Sequence, residues 1–205
     1  MLLKILLILG VVGHLTCWWC DCLLAYTPNG RFSFSDTDNN EKMSAIFKGY
    51  PLKRAEKSMI LGIFSLMTAF WGYFGLYLYT LKYSKPYAVI MIISSAVFFV
   101  LIAANHIMCG MVEWLYVKLG RTEEARSSAL GLFKTNLPVL AASYTALLVF
   151  SVSFFIAVIS GALPLSRWCC VFNILPIFLL LSPFKVPGAG NMASALMFAG
   201  LIFVI

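Results

Sequence analysis

Long apolar runs separated by short connections that carry cations are the feature that most narrows what this chain can become. Stretches of roughly 20 residues, each enough to cross about 30 Å of hydrocarbon, recur along it. They lie at about 2–26, 58–81, 87–117, 138–160, 168–182 and 190–205. Only 11% of the residues are charged and mean hydropathy is +0.92, so there is too little polar material to cover a water-soluble surface. No ten-residue segments of alternating polarity mark barrel strands, and a backbone in lipid must satisfy its own hydrogen bonds, which leaves helices. The expectation is an all-α, polytopic transmembrane bundle of about six membrane helices, a single integral membrane domain over residues 1–205. The fifth run is short and the sixth stops with the chain at Ile205, so a tilted or re-entrant segment, or a chain cut at that point, is compatible with either.

Orientation follows from the cations. The first, third and fifth connections hold Arg31, Lys42, Lys48, Lys53, Arg54, Lys57, Lys118, Arg121, Arg126, Lys134 and Lys185, whereas the opposite side holds Lys4, Lys82, Lys85 and Arg167. The positive-inside rule then makes the odd-numbered loops cytoplasmic, the main ones at about 27–57 and 118–137, and leaves the N-terminus outside a cytoplasmic (inner) membrane. A net charge of +7 is on this reading a topology signal with affinity for anionic lipid headgroups, and nucleic acid is not an expected partner. The opening "MLLKILLILG" has the n-region and h-region of a signal peptide. No small-x-small cleavage site follows it and the run continues through Trp18 and Trp19, so it reads as a retained helix.

Two connections carry their own signals. In "SDTDNNEKMSAIFKGY", Asp38 with Glu41 three residues on reads as a capping box, followed by Met43, Ile46, Phe47 and Tyr50 at helical spacing. This predicts a short helix lying on the cytoplasmic membrane surface. A calcium loop fails there, because Glu41 stands where the tight-turn glycine belongs and Phe47 where the bidentate glutamate belongs. In "RTEEARSSALGLFKTNLP", Thr122 reads as a cap, Glu123 and Glu124 as a first turn, and Pro138 as the start of the next span. Both loops read as solvated spacers. Ser58, Gly62, Ser65, Ala69 and Gly72 form a small-residue stripe that lets another backbone approach the second span, and Ala142, Ala146, Ser153 and Ala157 do the same on the fourth. Tyr73, Tyr77, Tyr79, Tyr83 and Tyr87 gather where an outer aromatic belt belongs.

Chemistry concentrates in "GHLTCWWCDC". On a helix, His14, Cys17, Trp18 and Asp21 fall on one stripe about 100° wide, with Trp19 turned to lipid. The third span repeats the pattern in "NHIMCGMVE", with His106, Cys109, Gly110 and Glu113 at the same offsets. Each segment reads His, two residues, Cys, three residues, acid. Both spans run the same way, so each histidine lies about 10 Å outward of its acid. Of the eight acidic residues only Asp21 and Glu113 fall inside or at the margin of a span, and a carboxylate near the bilayer centre costs at least about 2.5 kcal/mol, so it normally faces a partner or a wet cavity. The expectation is that the two stripes face one another across a polar pocket, with Trp18 filling the gap left by Gly110. His14, Asp21, His106 and Glu113 are the candidate reacting groups, and Trp18, Cys17, Cys109 and Gly110 the candidate ligand contacts.

Other chemistries compete less well. "CWWC" has the spacing of thiol redox centres, but the pair lies inside a helix towards the reducing side, with no second C-x-x-C. A metal is not expected, because a histidine and an acid seven apart cannot chelate from one helix and any ligand set would have to meet across helices. Two histidines at similar depth could clamp a haem, with nothing else in favour of it. No phosphate loop, serine elbow or H-E-x-x-H occurs, and the sequence names no cofactor.

The runs "GHLTCWWCDCLLAYTPNGRFSF" and "CGMVEWLYVKLGR" resemble a group of bacterial multi-pass membrane proteins of an uncharacterised family, which implies a bacterial cytoplasmic membrane and supplies no activity. His followed by Glu-Trp on one helix is also similar to sterol-isomerase-like bundles, which hold a lipophilic amine in an acid-lined cavity, although the spacing there is shorter. The leading functional expectation is a site that binds or transforms a lipid-like or amphipathic small molecule, with membrane lipids as partners. A small proton-coupled transporter, a quinone-linked thiol protein and a non-catalytic scaffold are the alternatives.

Overall fold

The computed structural model describes residues 1–205. Four helices are long and apolar enough to cross a membrane: α1 (Leu2–Ala25), α3 (Leu52–Leu81), α4 (Lys85–Lys118) and α5 (Glu123–Ile159). Between α1 and α3 lie a minimal hairpin of β1 (Tyr26–Thr27) and β2 (Gly30–Arg31), a 3-10 turn over Phe34–Asp38 and the short α2 (Asn40–Ile46). After α5 come a 3-10 turn at Arg167–Val171, α6 (Ile174–Leu181), another 3-10 turn at Ser182–Phe184 and α7 (Ala189–Val204). The fold is an all-α bundle. Its outward faces carry large apolar side chains such as Phe64, Met67, Val100, Leu180 and Phe203, a surface suited to lipid and hazardous in water.

The expected fifth and sixth crossings are shorter than full spans. Run 168–182 is divided into a 3-10 turn and an eight-residue helix, and α7 has 16 residues, about 24 Å. The two form a hairpin. Phe172, at its start, packs where a Cβ on Gly200 of α7 would stand, and Lys185, at its tip, accepts a hydrogen bond from Arg31. Lys185 and Gly188 turn the corner in left-handed conformations, φ +49° and +58°, where glycine is the favoured residue.

The stripe on α3 sets the packing. A Cβ at Gly13 of α1 would overlap the backbone of Ser65 and Ala69, and Gly10 faces Gly72, so α1 and α3 approach almost backbone to backbone. Ser58 donates to the Cys20 carbonyl at 3.0 Å. On its other flank α3 receives α4, with Gly62 beneath His106 and Met59 against Gly110. Both pairings are antiparallel, so α1 and α4 run in the same direction, as the two-stripe reading requires.

Two apolar clusters close the ends of the bundle. One gathers Tyr73, Phe98, Phe99, Phe150, Phe154 and Phe198. The other gathers Phe32, Met43, Phe47, Tyr50, Val112, Tyr116 and Ala125. The second corrects the loop reading. Met43, Phe47 and Tyr50, expected on the membrane surface, are buried beneath α4 and α5, because burial against protein was open to them as well as burial in lipid. Asn39 caps α2 through the Lys42 N–H at 2.9 Å, since Asp38 is occupied in the preceding 3-10 turn. Thr122 caps α5 as expected, accepting from Ala125 N–H at 3.2 Å. Pro138 does not begin a span but lies inside α5. It removes one backbone bond, and beside it the Asn136 amide donates to Asn105 Oδ1 of α4 at 2.6 Å.

Two outcomes follow. Gly13→Val lowers stability by about 1–3 kcal/mol through overpacking, whereas Gly131→Ala, a helical position with nothing within 4 Å, raises it by up to about 1 kcal/mol; thermal unfolding in detergent reads both signs. Asp36 is pushed up by partial burial but held below its ordinary range overall by the Lys42 ammonium at 2.5 Å and the Ser33 N–H at 2.9 Å. A carboxyl lowered on folding contributes stability that is complete above its unfolded value near 3.9 and is lost as pH falls through the folded value. Hydrogen exchange of residues 33–47 should therefore accelerate below about pH 4, and Asp36→Asn should remove that acid step.

Candidate functional site

Between the two apolar clusters lies a cavity of about 410 Å³. Cys17, Asp21 and Leu24 of α1 line one wall, and Asn105, His106, Cys109 and Glu113 of α4 the facing one. Tyr144 and Leu140 of α5, Phe178 of α6, Gly188–Asn191 at the start of α7 and Arg31–Phe34 of the first loop complete the lining. A segment read as a solvated spacer is thus part of the wall.

Gly62 is what lets His106 reach this space, since any side chain there would overlap its ring. The imidazole is 6% exposed, and its Nε2 lies 3.1 Å from the Ser58 carbonyl oxygen. A carbonyl only accepts, so Nε2 carries a proton and Nδ1 faces the cavity; this tautomer is assigned from the network. There Nδ1 stands 3.6 Å from Asp21 Oδ1. Cys17, one helical turn before Asp21, brings its Sγ into the same group, all three donor atoms lying within 4.8 Å of one another. A His/carboxylate cluster thus joins the two stripes, with part of each lining one cavity.

Asp21 is held from its other side as well. Asn191 of α7 donates from Nδ2 to Asp21 Oδ2 at 2.8 Å, and its Oδ1 accepts from His14 Nδ1 at 2.9 Å. His14 Nε2 lies 3.2 Å from the Tyr73 hydroxyl, which donates to Ser194 Oγ at 3.2 Å when not turned to His14. Gly188 packs directly on the Asp21 carboxyl group, placing the positive end of the α7 dipole against it.

The other expected residues divide. Cys109 lines the cavity and its thiol points at Asn105 Oδ1 at 3.9 Å. Glu113 lines it too, 2% exposed and accepting from the Tyr50 hydroxyl at 3.0 Å. Burial first, then the negative charge of Glu113, pushes the Tyr50 phenol well above its ordinary range, so Tyr50 remains a donor. His14 does not reach the cavity. It is 1% exposed and enclosed by Tyr73, Phe99 and Phe198, ring centroids 5.7, 6.3 and 6.0 Å away, because α7 packs over this part of α1 and Asn191 stands between His14 and Asp21. Trp18 and Gly110 do not line it either. Gly110 is turned to α3, where Met59 fills the gap assigned to Trp18, and the Trp18 indole N–H is buried without a partner.

Asn191, Ser58, Tyr144 and Asn105 are contributors that the stripe pattern does not reveal. Asn191 had a signal, as the lone amide in the last apolar run. Ser58 acts through its backbone carbonyl, for which side-chain identity is no guide.

No curated protein and no solved structure matches the chain. A family profile does, over residues 2–205, and the chain accordingly belongs to the family of unknown function DUF6796.

Proposed function

We propose that this protein binds the polar end of an amphipathic, lipid-like molecule in a pocket within the inner half of a bacterial cytoplasmic membrane. The observation that carries this is the unequal wall of the cavity. Its floor holds Asp21, His106 and Cys17, whereas its flank between α5 and the α6–α7 hairpin is made by Leu140, Tyr144 and Phe178. Along that flank α5 makes hardly any contact with α1 or α7. Tyr144 and Phe178 line the cavity and remain exposed, 50% and 40%, apolar area that a lipid tail would cover. A headgroup on the floor with a tail leaving between α5 and α6 matches both surfaces, and apolar pockets with a few convergent polar groups are the usual form of a small-molecule site.

Proton-coupled transport fits this geometry less well. The hydrogen-bonded series from Asp21 to Ser194 passes through the Asn191 amide, which relays no proton without tautomerising. Beyond Tyr73 the packed rings of Phe98, Phe150 and Phe198 follow. In the reading proposed, Asp21 and His106 anchor the headgroup by charge and hydrogen bonding, and His14 fixes Asp21 through Asn191.

In nanodiscs of phosphatidylethanolamine and phosphatidylglycerol, native mass spectrometry should find lipid retained on the wild-type protein. Retention should fall at least about tenfold, equivalent to about 1.4 kcal/mol, in a Leu140→Trp, Tyr144→Trp variant. Ile60→Trp, on the outer face of α3, should leave it unchanged; equal retention in all three would overturn the reading. Orientation is a separate outcome. With the N-terminus outside, Ser84→Cys reacts with a membrane-impermeant maleimide in intact cells, and Ser128→Cys reacts only after permeabilisation.

A further inference from the structure

We propose that Cys17, Asp21 and His106 form a zinc site whose fourth coordination position opens into the cavity. A metal is disfavoured on sequence because His14 and Asp21 are seven residues apart, as are His106 and Glu113. The fold pairs the residues differently. Cys17 and Asp21 are four apart on α1, the spacing at which two side chains on one helix face hold a metal, and the third donor comes from α4.

The geometry supports the assignment. Nδ1 of His106 and Oδ1 of Asp21 are 3.6 Å apart, long for a hydrogen bond. Donors placed about 2.0–2.3 Å from a tetrahedral zinc lie roughly 3.3–3.7 Å from each other. All three donor atoms fall within 4.8 Å, so closing on an ion needs side-chain adjustments of about an ångström on that scale. Both non-sulfur ligands are already oriented from behind. His106 donates its other ring N–H to the Ser58 carbonyl and Asp21 accepts from Asn191 through its other oxygen, the outer hydrogen bonds that hold metal ligands in register.

Charge supplies a further reason. A divalent ion with one thiolate, one carboxylate and one neutral imidazole is neutral overall, the condition under which a low-dielectric site tolerates an ion. Binding expels the Cys17 thiol proton, because the thiolate is the ligand. The mixed sulfur, nitrogen and oxygen set suits zinc over calcium or magnesium, which prefer oxygen alone. Cys109 is not in the group, since its thiol is turned to Asn105. The open position thus faces the cavity, the arrangement of zinc sites that bind or activate a small molecule.

The test is a titration of chelator-treated, phosphine-reduced protein in detergent with cobalt(II), a visible reporter for zinc. A sulfur-to-cobalt charge-transfer band should saturate at one ion per chain and be displaced by zinc. Cys17→Ser should abolish it, His106→Ala and Asp21→Ala should weaken binding at least about 100-fold, and Asn191→Leu about 10- to 100-fold. Cys22→Ser should leave it intact. Absence of the band in the wild type, or its survival in Cys17→Ser, overturns the site. X-ray absorption of the zinc-loaded wild type gives a check free of folding effects, expecting one sulfur among nitrogen and oxygen neighbours; a shell of sulfur alone or oxygen alone also overturns it. Loading the ion takes up the Asp21 and His106 atoms that hold the headgroup in the metal-free protein, so lipid retention measured on the chelator-treated protein tests the pocket reading separately.

Discussion

The near absence of side chains on one face of α3 is the constraint on which the polar interior depends. Ser65, Ala69 and Gly72 let α1 come within backbone contact on one flank, and Gly62 gives the His106 ring a place to lie on the other. Without that clearance the α1 and α4 stripes would be held apart by intervening bulk, and Asp21 could not come to 3.6 Å from His106. Association of apolar helices in lipid gains little from the hydrophobic effect, so close van der Waals approach and interhelical hydrogen bonds must supply the specificity. The bond from Ser58 to the Cys20 carbonyl and that from His106 to the Ser58 carbonyl are such contacts, and they tie three helices at one level.

A carboxyl group buried at that level needs compensation from every direction. Asp21 receives it from the His106 ring, the Asn191 amide and the N-terminal end of α7. The α6–α7 hairpin has its own reason to exist in this arrangement, since it carries the amide and the dipole to the acid. Its turn is tightened by left-handed backbone at Lys185 and Gly188, and Gly188 is the only residue type that fits against Asp21. Glu113 is treated differently, accepting from the Tyr50 hydroxyl. Two acids that look alike in sequence thus have separate environments, one facing an imidazole and a thiol, the other a phenol.

Much of the arrangement is legible in the chain. The His-x-x-Cys-x-x-x-acid repeat points to the α1 and α4 faces that line the cavity, and the small-residue stripe points to the helix that joins them, because helical periodicity maps spacing onto faces wherever the helix is long. Periodicity gives way where elements are short or where a second surface competes for the same residues. Met43, Phe47 and Tyr50 are amphipathic in pattern, and a pattern does not distinguish burial in lipid from burial under α4. Run 168–182 is apolar throughout, and apolarity does not reveal that Asn173 caps a new eight-residue helix within it.

The sequence by itself determined that this is an all-α bundle with long apolar helices, and which faces of two of them carry ionisable groups, because composition and period act locally. Only the tertiary structure decided which of those groups meet. His14 and Asp21 share a stripe, yet Asn191, 170 residues from Asp21, separates them, and Cys17 and Asp21 gather with His106 instead. The physical reason is that a partner across helices is chosen by relative depth and by the side-chain volume between backbones, quantities that depend on residues far apart in the chain.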